Sequence, residues 1–381
     1  MLDRTPADIA DTRTMVVETA RAFAAEKLAP GADARARAGA VEPEILEELG
    51  ALGFLGATVS PDWGGAGLDY LTYAMALEEI AAGDGSVSTV LSVHNSPTCL
   101  ILERFGTEAQ KEHWLRPMAS GEAISCFALT EPQAGSDASA LRTRAVRTDG
   151  GWVIDGAKQF ISNGRIAKVC VLFAVTDPAA GKKGISCFIV PTDAKGFVVA
   201  RTEEKLGQHA SDTCSLHFES MMVPGDAMIG APGEGYRIAL STLEAGRIGI
   251  AAQSLGMARA ALDYAIAYAK ERQSFGEPII RHQAVQFRLV EARTKLEAAR
   301  QLTHHACRLK DAGEPALEAA CMAKLFASEV AEAVCSAAIQ TLGGYGYLAD
   351  YPVERIYRDV RVCQIYEGTS DVQKIILGRM L

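Results

Sequence analysis

Among the nine cysteines of this chain, at 99, 126, 170, 187, 214, 307, 321, 335 and 363, no two form a Cys-x-x-Cys pair and none has a His at ligand spacing. That pattern argues against a zinc site, and an odd, scattered set argues against a disulfide framework. Buried thiols in a reducing compartment are the natural reading. The adjacent His304 and His305 point about 100° apart on a helix, so they offer no two-ligand metal face. No metal site is expected. Basic charge is also short, with 38 Lys and Arg against 47 Asp and Glu and a net charge of −9. A nucleic-acid binder needs a basic face, and none is expected here. No apolar run approaches the roughly 18 residues that a membrane span requires. The segment from Met1 to Arg13 is polar and acidic, without the apolar core of a signal peptide. A soluble, cytoplasmic chain is the expectation. Neither a Rossmann Gly-x-Gly-x-x-Gly nor a P-loop Gly-x-x-x-x-Gly-Lys occurs, so nicotinamide and nucleoside-triphosphate chemistry lose their main support.

What is present is a globular composition, 49% apolar and 22% charged, over 381 residues, enough for two or three packed units. Helical spacing is found at Met15 to Leu28, Pro43 to Leu52, Leu71 to Ala81 and Val87 to Arg104, with a rigid turn at Pro61 to Gly67. Trp63 reads there as a turn anchor rather than a cofactor contact. At Ser125 the texture changes to short β-rich runs: Ser125 to Thr130, Thr143 to Arg147, Trp152 to Ile154, Val169 to Val175, Ile185 to Val190 and Thr213 to Phe218. Asp149-Gly150-Gly151 and Asp155-Gly156 are placed between them as hairpin turns. Helix returns over Tyr236 to Arg272, His282 to Asp311, Ala316 to Leu342, Pro352 to Val362 and Ser370 to Leu381. The fold class is therefore α+β: an N-terminal all-α domain over 1–121, a middle antiparallel β-sandwich or barrel over 122–229, and a C-terminal four-helix bundle over 230–381.

Three stretches carry the chemistry. Gln364 to Gln373 reads Gln-Ile-Tyr-Glu-Gly-Thr-Ser-Asp-Val-Gln. Ser370 and Gln373 have capping-box spacing, which starts a helix, and Gly368 lets the backbone turn sharply before it. Alone, Glu367 reads as a surface charge near a helix N-terminus. Its context changes that reading. Ala128 to Asp137 reads Ala-Leu-Thr-Glu-Pro-Gln-Ala-Gly-Ser-Asp, and Gln340 to Asp359 opens with Gln-Thr-Leu-Gly-Gly-Tyr-Gly-Tyr. In this order and spacing the three segments resemble the acyl-CoA dehydrogenases, most closely the short-chain (butyryl-CoA) members, over essentially the whole chain.

The resemblance implies FAD held between the sheet domain and the C-terminal bundle. It assigns Phe127, Leu129, Thr130, Gly135 and Ser136 to one side of the flavin, and Phe160 and Ser162 to its reactive edge. Arg272, Gln283, Gln340, Gly343 and Gly344 match positions that reach a neighbouring subunit's FAD, and Thr369 and Asp371 complete the cofactor set. Glu367 is the implied base. Ser136, Glu244, Arg247, Gln253 and Gly368 match substrate contacts, with Cys363 beside Gln253 at the pocket floor. A rival base position falls on Gly246, which has no side chain. The resemblance further implies a homotetramer, a dimer of dimers, that passes electrons to an electron-transfer flavoprotein.

Other readings stay open at this stage. Thr130 and Ser162 suit sheet-edge residues bonding backbone, Glu244 and Arg247 an i,i+3 ion pair, and Gln253 an amide turned into the bundle. Gln133 and Phe160 depart from the family's usual Gly and Trp. Branched acyl-CoA substrates, reoxidation by oxygen, and a catalytically silent scaffold of the same fold are the alternatives. Glutaryl-type substrates are disfavoured, because relatives that bind a distal carboxylate use an Arg in the helix facing the pocket and Ile80 to Glu103 contains no Lys or Arg.

Overall fold

The computed structural model describes residues 6–381; the first five residues of the polar N-terminal segment lie outside it. Eight helices come first: α1 (Pro6–Phe23), α2 (Ala32–Ala38), α3 (Pro43–Ala51), α4 (Tyr70–Gly83), α5 (Gly85–Val93), α6 (Leu100–Phe105), α7 (Glu108–Gln110) and α8 (Arg116–Ser120). Helix α1 begins earlier than the apolar spacing suggests, and its tail, Ala24–Leu28, winds as a π turn. The single helix expected from Val87 to Arg104 is broken, because Ser96 is extended ahead of Pro97, as steric clash with a proline ring requires. Trp63 sits in the turn Pro61–Trp63, with Lys111 and Arg116 at 5.5 Å and 5.6 Å over its ring, and is the turn anchor anticipated.

The middle segment contains β1 (Ser125–Ala128), β2 (Arg144–Thr148), β3 (Gly151–Ser162), β4 (Val169–Val175), β5 (Ile185–Pro191), β6 (Phe197–Thr202), β7 (Thr213–Val223) and β8 (Met228–Ile229). They hydrogen-bond in the order β6-β7-β3-β2-β4-β5-β8, and β1 lies parallel to β4. Strands β2 and β4 meet at the single pair Arg144–Val175, so the sheet folds over there into two layers. Ile154, Ile161, Leu216 and Phe218 of one layer pack on Leu172, Phe188 and Val190 of the other. The outer face of the second layer, Val171, Phe173 and Ile189, packs on Ile101, Leu102 and Met118 of the N-terminal helices. Burial on both faces explains why β4 reads as the unbroken apolar run Val-Cys-Val-Leu-Phe-Ala-Val. The turn at Asp149-Gly150 joins β2 to β3 as expected. Asp155-Gly156 is not a turn: it lies inside the twelve-residue β3, where the register with β7 shifts. The glycine there marks a bulge, which a turn motif imitates in sequence.

Helices α9 (Gly235–Glu271), α10 (Gln283–Asp311) and α11 (Leu317–Leu342) form the C-terminal bundle, with α12 (Pro352–Val360) and α13 (Ser370–Gly378) packed on α11. Helix α9, at 37 residues, runs for about 55 Å and carries four of the anticipated site positions. The N- and C-terminal helices share one core. Leu77 and Ile80 of α4 belong to the same apolar cluster as Ile248 and Leu255 of α9 and Leu296 of α10. Helix α4 is thus enclosed, and its two glutamates are paired: Glu78 with Arg300 at 2.9 Å and Glu79 with Arg259 at 2.6 Å. Buried carboxylates are tolerated only with such partners.

Candidate active site

Glu367 occupies a turn between the 3₁₀ segment Arg361–Gln364 and α13. Its φ is +56° and that of Gly368 +86°. A left-handed backbone is costless for glycine and strained for glutamate, so the surrounding contacts must hold it. Gln373 does so from α13, its Nε2 donating to the carbonyl oxygens of Glu367 (3.3 Å) and Gly368 (2.9 Å). Lys324 of α11 donates to the Gly368 carbonyl at 2.7 Å. The capping box expected of Ser370 and Gln373 is not formed. Thr369 is the cap, accepting from the Val372 amide at 3.2 Å, and Gln373 is drawn away to the turn.

The residue as a whole is half-buried, yet Glu367 Oε1 is shut off from solvent and no donor reaches it. Burial pushes the carboxyl up to about 7, against the opposing charges of Arg247 and Lys324. A carboxylate left without a hydrogen bond in the interior is costly, which makes it a basic, available acceptor at neutral pH. Gly246 does more than leave the rival position empty. A Cβ there would stand 1.7 Å from Glu367 Oε1, so the glycine supplies the space the carboxylate fills.

Arg247 is buried, with its Nε lacking any hydrogen-bond partner. The Glu244–Arg247 ion pair that the spacing allows is absent. Glu244 pairs with Lys310 at 3.1 Å instead, at the rim of a cleft lined by Lys182, Lys183, Tyr236 and Arg237. Gln253 is fully buried. Its amide donates to Gly85 O (3.2 Å), Ser88 Oγ and Thr89 Oγ1 (both 2.6 Å), and it accepts from Tyr366, the residue before Glu367. Cys363, also buried, lies 3.6 Å from the same tyrosine hydroxyl.

On the sheet side, Phe127 packs edge-on against Phe173, and Leu129 is buried behind it. Half-buried Thr130 and Ser162 make no hydrogen bond through their hydroxyls to any described residue, so the backbone-bonding role is not realised. Phe160 has φ +60° and is 64% exposed, an apolar ring with no cover of its own. Gly135 and Ser136 lie on an exposed loop, and the neighbouring Gln133 staples that loop by bonding Glu131 at 2.7 Å. Behind the loop is a pair whose role the sequence alone does not reveal. Lys158 and Glu131, both buried, meet at 2.8 Å; Lys158 also bonds Leu129 O, and Glu131 accepts from the Arg142 and Thr143 amides. The pair ties the Leu129–Thr143 loop to β3. Lys158→Met strands a buried carboxylate, and is expected to cost roughly 3–5 kcal/mol in urea unfolding. An unchanged midpoint would remove that role.

Arg272, Gly343 and Gly344 line one surface cleft of about 550 Å³, in which Arg272 lies 5.5 Å over the Tyr345 ring. Gln283 and Gln340 are exposed, as is Asp371. Neither Phe160 nor Glu367 lines that cleft, so within one chain the anticipated cofactor residues fall into two groups. Among the described residues no cluster of His, Cys, Asp or Glu is arranged to hold a metal, and no helix is long and apolar enough to cross a membrane.

Family models for the N-terminal, middle and C-terminal domains of acyl-CoA dehydrogenase match residues 10–122, 126–221 and 233–381. The chain belongs to the acyl-CoA dehydrogenase family. It is 44% identical over 371 residues to the mitochondrial short-chain specific acyl-CoA dehydrogenase of Homo sapiens, covering 97% of this chain and 90% of that protein. The solved butyryl-CoA dehydrogenase of Megasphaera elsdenii superposes with a TM-score of 0.95 at 41% identity, over 100% of this chain and 99% of that one. A chain from a structure of the electron transferring flavoprotein of Acidaminococcus fermentans gives 0.96 at 43% identity, with 100% and 99% covered.

Membership of the acyl-CoA dehydrogenase family implies a flavin cofactor, and the residues present suit one. Phe160 is an uncovered aromatic ring on β3, Ser162 with its unpartnered hydroxyl stands two residues further along that strand, and Thr130, whose hydroxyl is also unpartnered, is tied to the strand by the Gln159 N–H at 2.9 Å. At Gly135, Gly343 and Gly344 an added Cβ would meet nothing within 4 Å, which leaves backbone open to close approach.

Proposed function

We propose that this protein catalyses the FAD-dependent α,β-dehydrogenation of a short-chain acyl-CoA thioester to the trans-2-enoyl-CoA, with electrons passing to an electron-transfer flavoprotein. The observation that carries this reading is the orphaned, shielded carboxylate of Glu367 in the space left by Gly246. Glu367 removes the α-proton of the substrate. Its backbone N–H, on a turn held by Lys324 and Gln373, donates to the thioester oxygen and stabilises the charge that develops there. When bound, FAD supplies the acceptor for the β-hydrogen and its electron pair. Phe127, Leu129, Thr130, Gly135, Ser136, Phe160, Ser162, Thr369 and Asp371 hold it from one chain. Arg272, Gln283, Gln340, Gly343 and Gly344 serve a partner's cofactor, since they lie round a separate cleft or exposed on the surface. That division makes the working unit at least a dimer, and within a homotetramer a dimer of dimers.

Glu244, Arg247, Ser136 and Gly368 contact the substrate, and the enzyme works in the cytoplasm. Adding saturated acyl-CoAs of increasing length to the purified protein without oxygen tests the reading directly. Bleaching of the flavin band should be strongest with the four-carbon thioester. A protein without a flavin band, or one that no acyl-CoA bleaches, would refute it.

Chain length is set by Gln253. On α9, Gly246, Ile250 and Gln253 share one face, and Gln253 lies about 10 Å beyond the glycine beside the base. Four groups fix its amide, so it forms a rigid floor. Gln253→Gly is expected to move the maximum of kcat/KM from four toward six or eight carbons, each added buried methylene contributing up to about 0.8 kcal/mol. The same variant should lose stability, because Ser88, Thr89 and Tyr366 are left short of partners at roughly 1–3 kcal/mol each. An unchanged chain-length profile in a folded, flavin-containing variant would rule Gln253 out as the floor.

A further inference from the structure

Helix α11 presents three residues to the segment that carries Glu367, spaced one turn apart at 324, 328 and 332. Glu332 and the Ser328 carbonyl hold the side chain of Gln364, and Lys324 holds the carbonyl of Gly368. One helix face therefore grips the five residues 364–368 at both ends. Lys324 is fully buried, and among the described residues no carboxylate pairs with it and the Gly368 carbonyl is its only hydrogen-bond acceptor. A buried ammonium with one neutral partner is expensive to keep, and packing alone gives no reason for it, since a methionine fills the same volume without the penalty.

We propose that Lys324 is a positioning residue for the base: by fixing the Gly368 carbonyl it holds the left-handed turn that aims Glu367, and it sets a positive charge beside that carboxylate. The inference rests on the reading of Glu367 as the base. The strained φ of +56° at Glu367 needs an external restraint, which Lys324 supplies from α11 and Gln373 from α13. The charged and titratable groups facing this pair are few. Arg247 on α9 bears on both Glu367 and Lys324, while Cys321 on α11 and Cys363 before the turn bear on Lys324. Tyr73 on α4 feels the carboxylate more weakly.

Lys324 and Arg247 act in the same direction, both lowering the Glu367 carboxyl against the rise that burial imposes. Removing the ammonium leaves Arg247 alone to oppose burial, so the carboxyl should hold its proton to higher pH. Burial in turn pushes Lys324 down to about 8, so its charge is present through the range in which Glu367 titrates.

The test compares Lys324→Met, which removes donor and charge, Lys324→Gln, which keeps a donor, and Lys324→Arg, which keeps both. All are made in the full-length holoenzyme beside Glu367→Gln. For Lys324→Met we expect kcat at pH 7 to fall at least about tenfold, and the acidic limb of kcat/KM to move up by about one pH unit, the scale on which a neighbouring charge shifts a carboxyl. Hydrogen exchange at the amides of residues 367–369 should quicken, while flavin content and thermal midpoint stay near wild type, because Gln373 still bonds the Gly368 carbonyl. Lys324→Gln should move the limb but slow the exchange again, and Lys324→Arg should restore the limb even if Lys324→Met does not fold. An unmoved limb with unchanged exchange in Lys324→Met overturns the inference. So does a loss of activity equal at every pH and matched by lower thermal stability, which is the mark of a purely structural lysine. Retained turnover in Glu367→Gln would instead sink the assignment of the base.

Discussion

Glu367→Gln should lower turnover by at least about three orders of magnitude while leaving flavin content unchanged, since an amide cannot accept the α-proton and general-base catalysis contributes roughly 10²–10⁴-fold. The wild-type kcat/KM should fall away on the acid side with a midpoint near the value of about 7 to which burial raises the carboxyl. Below it the carboxyl is already protonated and is too weak a base to take the α-proton. The same shift fixes a stability prediction of definite sign. A carboxyl that binds its proton more tightly folded than unfolded stabilises the fold below its unfolded value of 4.5, and that contribution is lost as pH rises through about 7. A glutamine carries no such burden. At pH 8 the variant should therefore melt at or above the wild-type temperature, whereas near pH 4 the two should be similar. A variant that turns over at wild-type rate, or that unfolds earlier at pH 8, would show that Glu367 is neither the base nor a strained buried acid.

Gly246→Ala is the second large effect, and it separates position from chemistry. The new methyl would stand 1.7 Å from Glu367 Oε1 and 2.6 Å from its Cδ, with no backbone atom among its three nearest contacts. A flexible carboxylate can swing away at little cost in stability, yet it cannot swing away and stay aimed. Displacement of a reacting group by about 1 Å costs on the order of 10²-fold in rate. We expect kcat to drop by about that factor with thermal stability changed by less than about 1 kcal/mol, the scale of a substitution that buries no polar group. Equal kcat in the two proteins would mean that the carboxylate has a second productive orientation.

How much of this was legible beforehand differs by element. The long helices α9, α10 and α11 were plain in the sequence because each keeps an apolar stripe for more than seven turns, and β4 because burial on both faces leaves an unbroken apolar run. Strand β6, with five of its six residues exposed, has no such pattern and was missed. The short helical turns of 108–120 fall within the all-α reading of 1–121 but were not named as separate elements, and the glycine bulge at Gly156 was read as a turn because its Asp-Gly signature is that of a hairpin. The cap of α13 was misplaced by one residue, since Thr369 and Ser370 are equally good caps in isolation. Only the demand of the turn for Gln373 decides between them.

By itself the sequence determined the class of protein, the order of its three parts and the residue types at the site, because motif spacing and apolar periodicity are local properties of the chain. Through the family resemblance it put Glu367 forward as the implied base and Gly246 at the empty rival position. Tertiary structure alone decided how those two facts are one fact, a glycine on α9 making room for a carboxylate more than a hundred residues away. It alone placed Lys324 under the Gly368 carbonyl, paired Lys158 with Glu131, and turned Glu244 from Arg247 to Lys310. Each of these is a buried or half-buried charge whose partner lies on another element. Solvation makes such a charge unremarkable in the unfolded chain, and only removal from water, in a particular packing, forces it to find the one group within reach.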